Sequence, residues 1–106
     1  MPPNPDRIPE RIEVRNATSP HHITRVDRAR YEAMLQALLA VLQDTPPGMT
    51  PAEAQTALLP LLDQAQFPGG AKAGWWMKCV QLDLEFKGEI ARASKPPVRL
   101  HRVTAT

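Results

Sequence analysis

The sequence predicts a small α+β domain, in which three helices are followed by a C-terminal β-hairpin and preceded by an N-terminal β-strand or hairpin. Apolar residues recur at helical spacing in three stretches, and they alternate with polar residues near both ends of the chain. Proline and glycine separate these stretches. A chain of 106 residues has room for one modest core. We therefore expect a single domain over residues 11–106, after a flexible proline-rich arm over residues 1–10.

The N-terminal strands are predicted by alternation. Ile12 and Val14 alternate with charged residues, and Ile23 to Val26 alternates again. The cluster Asn16-Ala17-Thr18-Ser19-Pro20 between them is typical of a turn. The two runs are expected to pair as a short hairpin.

The first helix is predicted to begin after Asp27, a good N-cap, and to stop at Pro46-Pro47-Gly48. Its apolar positions follow the i, i+3, i+4, i+7 pattern, so the stripe should lie in the core. The stripe consists of Tyr31, Met34, Leu35, Leu38, Leu39 and Leu42.

The second helix is predicted from Thr50-Pro51-Ala52-Glu53, which combines a capping hydroxyl, a proline at the first helical position and a glutamate that can reach back. Pro60 should kink or end it, because proline removes a backbone donor. Its expected buried face consists of Ala54, Ala57, Leu58, Leu61 and Leu62.

The third helix is predicted from Gly74 to Gly88 and is apolar nearly all round. Trp75, Cys79, Leu82 and Phe86 form one stripe, and Trp76, Met77, Val80 and Leu84 form another. Lys78, Gln81 and Glu85 are expected to share a polar face. Residues 90–93 and 98–103 should then form a hairpin that turns at Ser94-Lys95-Pro96-Pro97.

This order of elements, together with Leu84-Glu85-Phe86-Lys87-Gly88-Glu89-Ile90, resembles the winged helix-turn-helix superfamily over residues 27–103. The resemblance implies that the third helix is a recognition helix and that the C-terminal hairpin is a wing. The motif Gly-Trp-Trp-x-Lys-x-Val-Gln-Leu-Asp-Leu-Glu at residues 74–85 also resembles a family of small, uncharacterised bacterial proteins. That second resemblance implies no activity.

Charge is distributed unevenly along the chain. Residues 31–87 hold three lysines against six acidic residues, a net of −3, whereas residues 88–106 hold four basic residues against one glutamate, a net of +3. With the winged-helix resemblance, this predicts a small protein that binds nucleic acid, with duplex DNA as the partner and a regulatory role left open. Its expected contacts are Lys78 and Gln81 on the third helix, near base edges, and Lys95, Arg99 and Arg102 in the wing, on phosphates, joined by Lys72 at the entrance of the helix. Asp83 and Glu85 on the same helix oppose this interpretation, because phosphates repel them.

The alternative is a protein-interaction or homodimeric structural module. Trp75 and Trp76 point about 100° apart on a helix, so one of them should be core and the other is a candidate interface residue. The sequence leaves open which is which.

Other classes of function lack support in the sequence. We find no paired carboxylates, nucleophile motif, cofactor fingerprint or metal-ligand spacing, so neither an enzyme nor a bound cofactor is expected. A single cysteine suggests a reducing compartment, and the apolar stretches are too short to cross a bilayer. We therefore expect a cytoplasmic protein without a membrane partner.

Overall fold

The computed structural model describes residues 11–19, 21–93 and 95–103, so the expected arm over residues 1–10 lies outside the described part. The described residues form three helices and two antiparallel sheets of two strands each, and the α+β class is confirmed. In chain order the elements are β1 (Arg11–Val14), β2 (Thr24–Asp27), α1 (Arg28–Val41), α2 (Pro51–Leu58), α3 (Ala73–Lys87), β3 (Ile90–Arg92) and β4 (Leu100–Arg102).

The N-terminal hairpin forms as predicted. Val14 of β1 lies opposite Thr24 of β2, and Ile12 lies opposite Val26, so these four side chains share one face. Val14 and Val26 are buried in the core, whereas Arg25, on the other face, is exposed. Alternation therefore predicted the inward face of β1 correctly, whereas in the second run Val26 is buried and Ile23, which precedes β2, is 46% exposed.

Helix α1 begins where the sequence predicted. The side chain of Asp27 accepts a hydrogen bond from the backbone N–H of Arg30 at 3.0 Å. The helix packs against both α2 and α3. Its predicted stripe contacts the core throughout: Tyr31, Met34, Leu38 and Leu42 are buried, and Leu35 and Leu39 are partly buried.

The cap of α2 is also confirmed. The hydroxyl of Thr50 accepts from the Glu53 backbone N–H at 3.1 Å, and the Glu53 carboxylate accepts from the Thr50 N–H at 3.0 Å. The α-helix ends at Leu58, and a 3₁₀ turn over Leu59–Leu61 contains Pro60.

The predicted buried face of α2 is correct only in part. Ala54, Leu58 and Leu62 are buried, but Ala57 and Leu61 are exposed. Leu61 would share a face with Leu58 in a continuous α-helix. The α-helix ends at Leu58, however, and in the 3₁₀ turn that follows the side chain of Leu61 is exposed.

Helix α3 ends at Gly88, which adopts a left-handed conformation with φ +77°. The hairpin β3–β4 follows directly, in the predicted place but with shorter strands. Met49, in the segment between α1 and α2, forms an isolated antiparallel bridge with Leu100 of β4. None of the helices in the described part is long and apolar enough to span a bilayer.

Candidate nucleic-acid interface

The two apolar stripes of α3 have different environments. Trp76, Met77, Val80 and Leu84 belong to the core. In the other stripe Leu82 is buried, Cys79 is half-buried, and Trp75 and Phe86 are exposed. The N-terminal hairpin packs beside this second stripe and leaves its two ends open.

Gln81 does not lie on an exposed polar face, and its expected position at a base edge is wrong. The side chain is fully buried, with 0% exposure. Its Nε2 donates to Glu85 Oε2 at 3.1 Å, and its Oε1 has no hydrogen-bond partner among the described residues. At 100° per residue, position 81 falls about 40° from Met77 and about 60° from Leu84, both of which are core residues. It falls equally about 40° from Glu85 and about 60° from Lys78, so the helical angle alone fits either the core or the polar face.

Asp83 is buried as well, so the expectation that it would face and repel phosphates is wrong. Its carboxylate accepts hydrogen bonds from the hydroxyl of Tyr31, from Lys87 Nζ at 2.7 Å and from the backbone N–H of Arg15 at 2.7 Å. Burial, followed by the hydrogen bond to Asp83, raises the pKa of Tyr31, which keeps its hydroxyl protonated as a donor. Asp83 thus connects α3 to α1 and to the N-terminal hairpin.

Glu85, the second carboxylate of α3, is also paired within the fold. It forms a two-pronged ion pair with the guanidinium of Arg92 on β3, and its side chain is only 8% exposed. Both acidic groups that opposed phosphate binding are therefore neutralised internally. The same pairs also occupy Lys87 and Arg92.

The three lysines among the predicted cationic contacts are exposed. Lys72 lies at the N-cap of α3 in a left-handed conformation with φ +59°, and Lys78 lies one turn after Trp75. Lys95 lies in the turn between β3 and β4. Within the part of the chain that the structure describes, these three ammonium groups have no ion-pair or hydrogen-bond partner.

The two arginines of the predicted wing are less available. Arg102 donates from Nε to the carbonyl of Leu42 at 2.9 Å, so its guanidinium is used to hold β4 against the end of α1. Arg99 is half-buried and lies close enough to Glu53 for their charges to interact. The pKa of Glu53 is lowered chiefly by the hydrogen bond from the Thr50 backbone, and the positive charge of Arg99 adds to that shift.

The structure distinguishes the two tryptophans. Trp76 is the core residue: it is buried, and its ring contacts Phe67 edge-to-face at a centroid distance of 6.2 Å. Trp75 is 57% exposed and contacts Trp76 edge-to-face at 5.1 Å. Trp75 is thus an exposed ring held against a fixed one.

A groove of about 210 Å³ lies between the N-terminal hairpin and α3, and we call it the hairpin groove. Its floor is apolar and its rim carries cationic groups. The hairpin contributes Val14, Arg15, Asn16, His22 and Thr24, and α3 contributes Trp75, Lys78, Cys79 and Leu82.

Arg15 and Phe86 extend this surface towards the end of α3. The guanidinium carbon of Arg15 lies 5.6 Å from the centroid of the Phe86 ring. Phe86, which the sequence placed in the apolar stripe of Trp75, is 43% exposed. Arg15 was not among the predicted site residues, because its sequence neighbours indicate only a strand end, and its position beside α3 depends on tertiary packing.

The chain belongs to the family of unknown function DUF6958, whose sequence model matches residues 11–100. The predicted resemblance to a family without an assigned activity is confirmed to that extent. No curated protein and no solved structure matches the chain. Among the described residues, no group of three His, Cys, Asp or Glu side chains is placed to hold a metal ion.

Proposed function

We propose that this member of DUF6958 is a cytoplasmic nucleic-acid-binding domain that contacts the phosphate backbone without reading the base sequence through α3. The observation that carries the proposal is the internal neutralisation of Asp83 by Lys87 and of Glu85 by Arg92. This neutralisation removes the repulsion of phosphates that was expected from the two carboxylates of α3. Lys72, Lys78 and Lys95 remain as exposed cations for phosphate oxygens.

A winged-helix arrangement is part of the proposal. The bridge between Met49 and Leu100 adds a third, one-residue strand to the hairpin β3–β4, from the segment between α1 and α2. Two backbone hydrogen bonds form it, at 2.9 Å and 2.6 Å. The order helix, short strand, helix, helix and two strands is that of a winged helix, which supports β3–β4 as the wing.

Weak sequence discrimination follows from the burial of Gln81. Base-edge recognition requires a polar side chain that reaches the major groove, and Gln81 was the candidate on α3 that offered both a donor and an acceptor. Since its side chain is packed in the core, a change at Gln81 should alter the stability of the fold rather than preference among sequences. Contacts made by lysines to phosphates carry no sequence information.

The proposal is tested by fluorescence anisotropy of a labelled random duplex, titrated with protein at several salt concentrations. Lys78→Gln and Lys95→Gln should each weaken binding almost equally for all sequences. Each should also reduce the slope of log K against log salt by about 0.9. The matched control is Arg25→Gln, because Arg25 is an exposed cation on the hairpin face that points away from the groove.

Absence of salt-dependent binding at about 50 mM salt and roughly tens of micromolar protein would contradict the proposal, since weak non-specific binders are visible there. An equal loss in Arg25→Gln would show that net charge, and not this surface, is responsible.

A second candidate function is a protein-interaction or homodimeric module, and the exposure of Trp75 favours it specifically. Exposed tryptophans commonly anchor interfaces. Sedimentation equilibrium distinguishes a homodimer: wild-type protein would associate with increasing concentration, and Trp75→Ala would remain monomeric. If wild-type protein and Trp75→Ala are both monomeric, the homodimer hypothesis is wrong.

A further inference from the structure

We propose that the hairpin groove binds an unstacked base of a single-stranded nucleic acid, with the base against Trp75 and the adjoining phosphates near Lys78 and Arg15. The proposal rests on the proposed nucleic-acid function and specifies the form of nucleic acid that this site prefers. It arises from one juxtaposition, an exposed, supported aromatic ring beside two cations at the edge of an apolar groove.

Trp75 is suited to stacking because its ring is both exposed and held in place. Trp76 contacts it edge-to-face at 5.1 Å, and Trp76 is itself fixed by burial and by Phe67. Little side-chain freedom is then lost when a base stacks. Stacking on an aromatic ring tolerates any base, which agrees with the lack of base-edge contacts from α3.

The charge of the groove is complementary to a phosphate backbone. Lys78 is exposed, Arg15 is half-exposed, and no carboxylate is among the described residues that line the groove. Phe86 provides a second exposed ring beneath Arg15, 11 residues after Trp75 and therefore about 16 Å further along the helix. Each end of this edge of α3 thus carries a ring beside a cation, Trp75 with Lys78 and Phe86 with Arg15.

The size of the groove favours a single base over a larger ligand. Its volume of about 210 Å³ is below the ~300–1,000 Å³ of pockets that hold drug-sized molecules. A single ring system suits that space. In a duplex each base is paired and stacked on its neighbours, so a base reaches Trp75 only at the cost of extrusion from the helix.

The test compares binding of a labelled single strand of about 12 nucleotides with binding of a duplex of the same sequence. The length lies within the ~4–16 nucleotides that single-strand binding domains cover. Wild-type protein should bind the single strand more tightly. Trp75→Ala should weaken single-strand binding by about ten-fold and leave duplex binding nearly unchanged. Trp75→Phe should restore most of the loss, because phenylalanine also offers a ring for stacking.

The matched control is Leu61→Ala. Leu61 is an apolar side chain as exposed as Trp75, at 56%, and it lies outside the hairpin groove. This variant should bind both nucleic acids as wild type does. Tryptophan emission gives a second readout: the single strand should quench it in wild type but hardly in Trp75→Phe, where buried Trp76 remains the sole tryptophan.

The outcomes separate this inference from the proposed function. If Trp75→Ala binds the single strand as wild type does, or loses affinity for the single strand and the duplex equally, the groove is not a base site. Phosphate binding by the lysines would still stand. Failure of wild type to bind either form contradicts both. A polyglutamate peptide that binds as tightly as the single strand, and depends equally on Trp75, would make the groove an acidic-peptide site and overturn the inference.

Discussion

The two hairpins of this domain are nearly the same size but are attached to the helices in different ways. The N-terminal hairpin is held mainly through a side chain, because the buried carboxylate of Asp83 accepts the backbone N–H of Arg15 at 2.7 Å, whereas the backbone bond from Ala17 N–H to the Leu82 carbonyl is longer, at 3.2 Å. The C-terminal hairpin is held mainly by main chain, through the bridge between Met49 and Leu100 and through Arg102 N–H, which donates to the carbonyl of Gln43 at 2.7 Å, and the Arg102 side chain adds its bond to Leu42.

This difference determines how each hairpin can be released. A main-chain attachment depends on how closely two backbones approach, and here glycine permits the approach. A side-chain attachment depends on a single ionisable group and on its partners. The two hairpins should therefore respond to different substitutions, and only damage to the common core should affect them alike.

The largest effect is expected for Gly48→Ala. A Cβ at this position would lie 1.9 Å from the carbonyl oxygen of Leu100, and the residue has φ +86°. Both the clash and the backbone conformation oppose a side chain, so we expect a loss of more than about 4 kcal/mol in the free energy of unfolding. Chemical denaturation measures it.

The control for Gly48→Ala is Gly88→Ala. Gly88 has a similar φ of +77°, but a Cβ added there would meet no described atom within 4 Å. Only conformational strain remains, worth about 1–2 kcal/mol. Equal losses in the two variants would show that the contact with Leu100 does not hold the C-terminal hairpin.

Truncation of the common core should come next. Leu38 of α1 and Leu84 of α3 are buried, at 0% and 1% exposure. We expect Leu38→Ala and Leu84→Ala to cost about 2–5 kcal/mol each and to weaken both hairpins together. Leu61→Ala, at an exposed position, should cost less than about 0.5 kcal/mol. A wild-type denaturation midpoint for either core variant would remove that residue from the core.

Asp83→Ala should mainly release the N-terminal hairpin, at a cost of roughly 2–3 kcal/mol. The change leaves the buried hydroxyl of Tyr31 and the N–H of Arg15 without their acceptor. Lys87 can turn to water, because its side chain is 40% exposed. Hydrogen exchange should show faster exchange at the Arg15 amide than in wild type, with the amides of β3 and β4 less affected.

The matched control for Asp83→Ala is Glu32→Ala. Glu32 also pairs with a cation four residues away, Arg28, but its side chain is 50% exposed. Such a surface pair contributes little, so the loss should be below about 1 kcal/mol. If the two variants lose the same stability, burial of the Asp83 network is not what anchors the hairpin.

Local sequence signals predicted most of the fold. Asp27, the Thr50–Glu53 capping box, Pro60 and Gly88 each mark the end of an element through interactions within a few residues. Alternation predicted both hairpins for the same reason. These features need no knowledge of what packs against them.

The candidate site was predicted less well, because its features depend on tertiary contacts. The sequence does not show that Asp83 meets Tyr31, 52 residues earlier, or that Arg15 lies beside Phe86. Polarity placed Gln81 on the surface, and its helical angle, midway between core and polar positions, did not correct this; packing buries it. The burial of Trp76 rather than Trp75 likewise depends on tertiary packing, because Trp76 lies against Phe67 in the core.

The smallest effect concerns Cys79, whose reactivity reports how closely the N-terminal hairpin covers α3. Burial, followed by the negative charge of Asp83, raises the pKa of the Cys79 thiol to about 11. The thiolate is the reactive form, and it is scarce at about pH 8. Native protein should therefore react with a thiol reagent at least about ten-fold more slowly than free cysteine, even after allowing for the greater nucleophilicity of a thiolate of high pKa.

The labelling rate of Cys79 should also depend on pH and on the charge of Asp83. Between about pH 8 and pH 10 the labelling rate of Cys79 should keep rising, because the thiolate fraction grows until pH reaches the raised pKa. The rate for free cysteine levels off earlier, near its pKa of about 8.5.

Cys79 in the Asp83→Asn variant should be labelled faster, because the change removes a nearby negative charge and weakens the attachment of the hairpin. Urea-unfolded protein is the reference for full reactivity, and native protein that reacts at the same rate would show that the hairpin does not cover this stripe of α3.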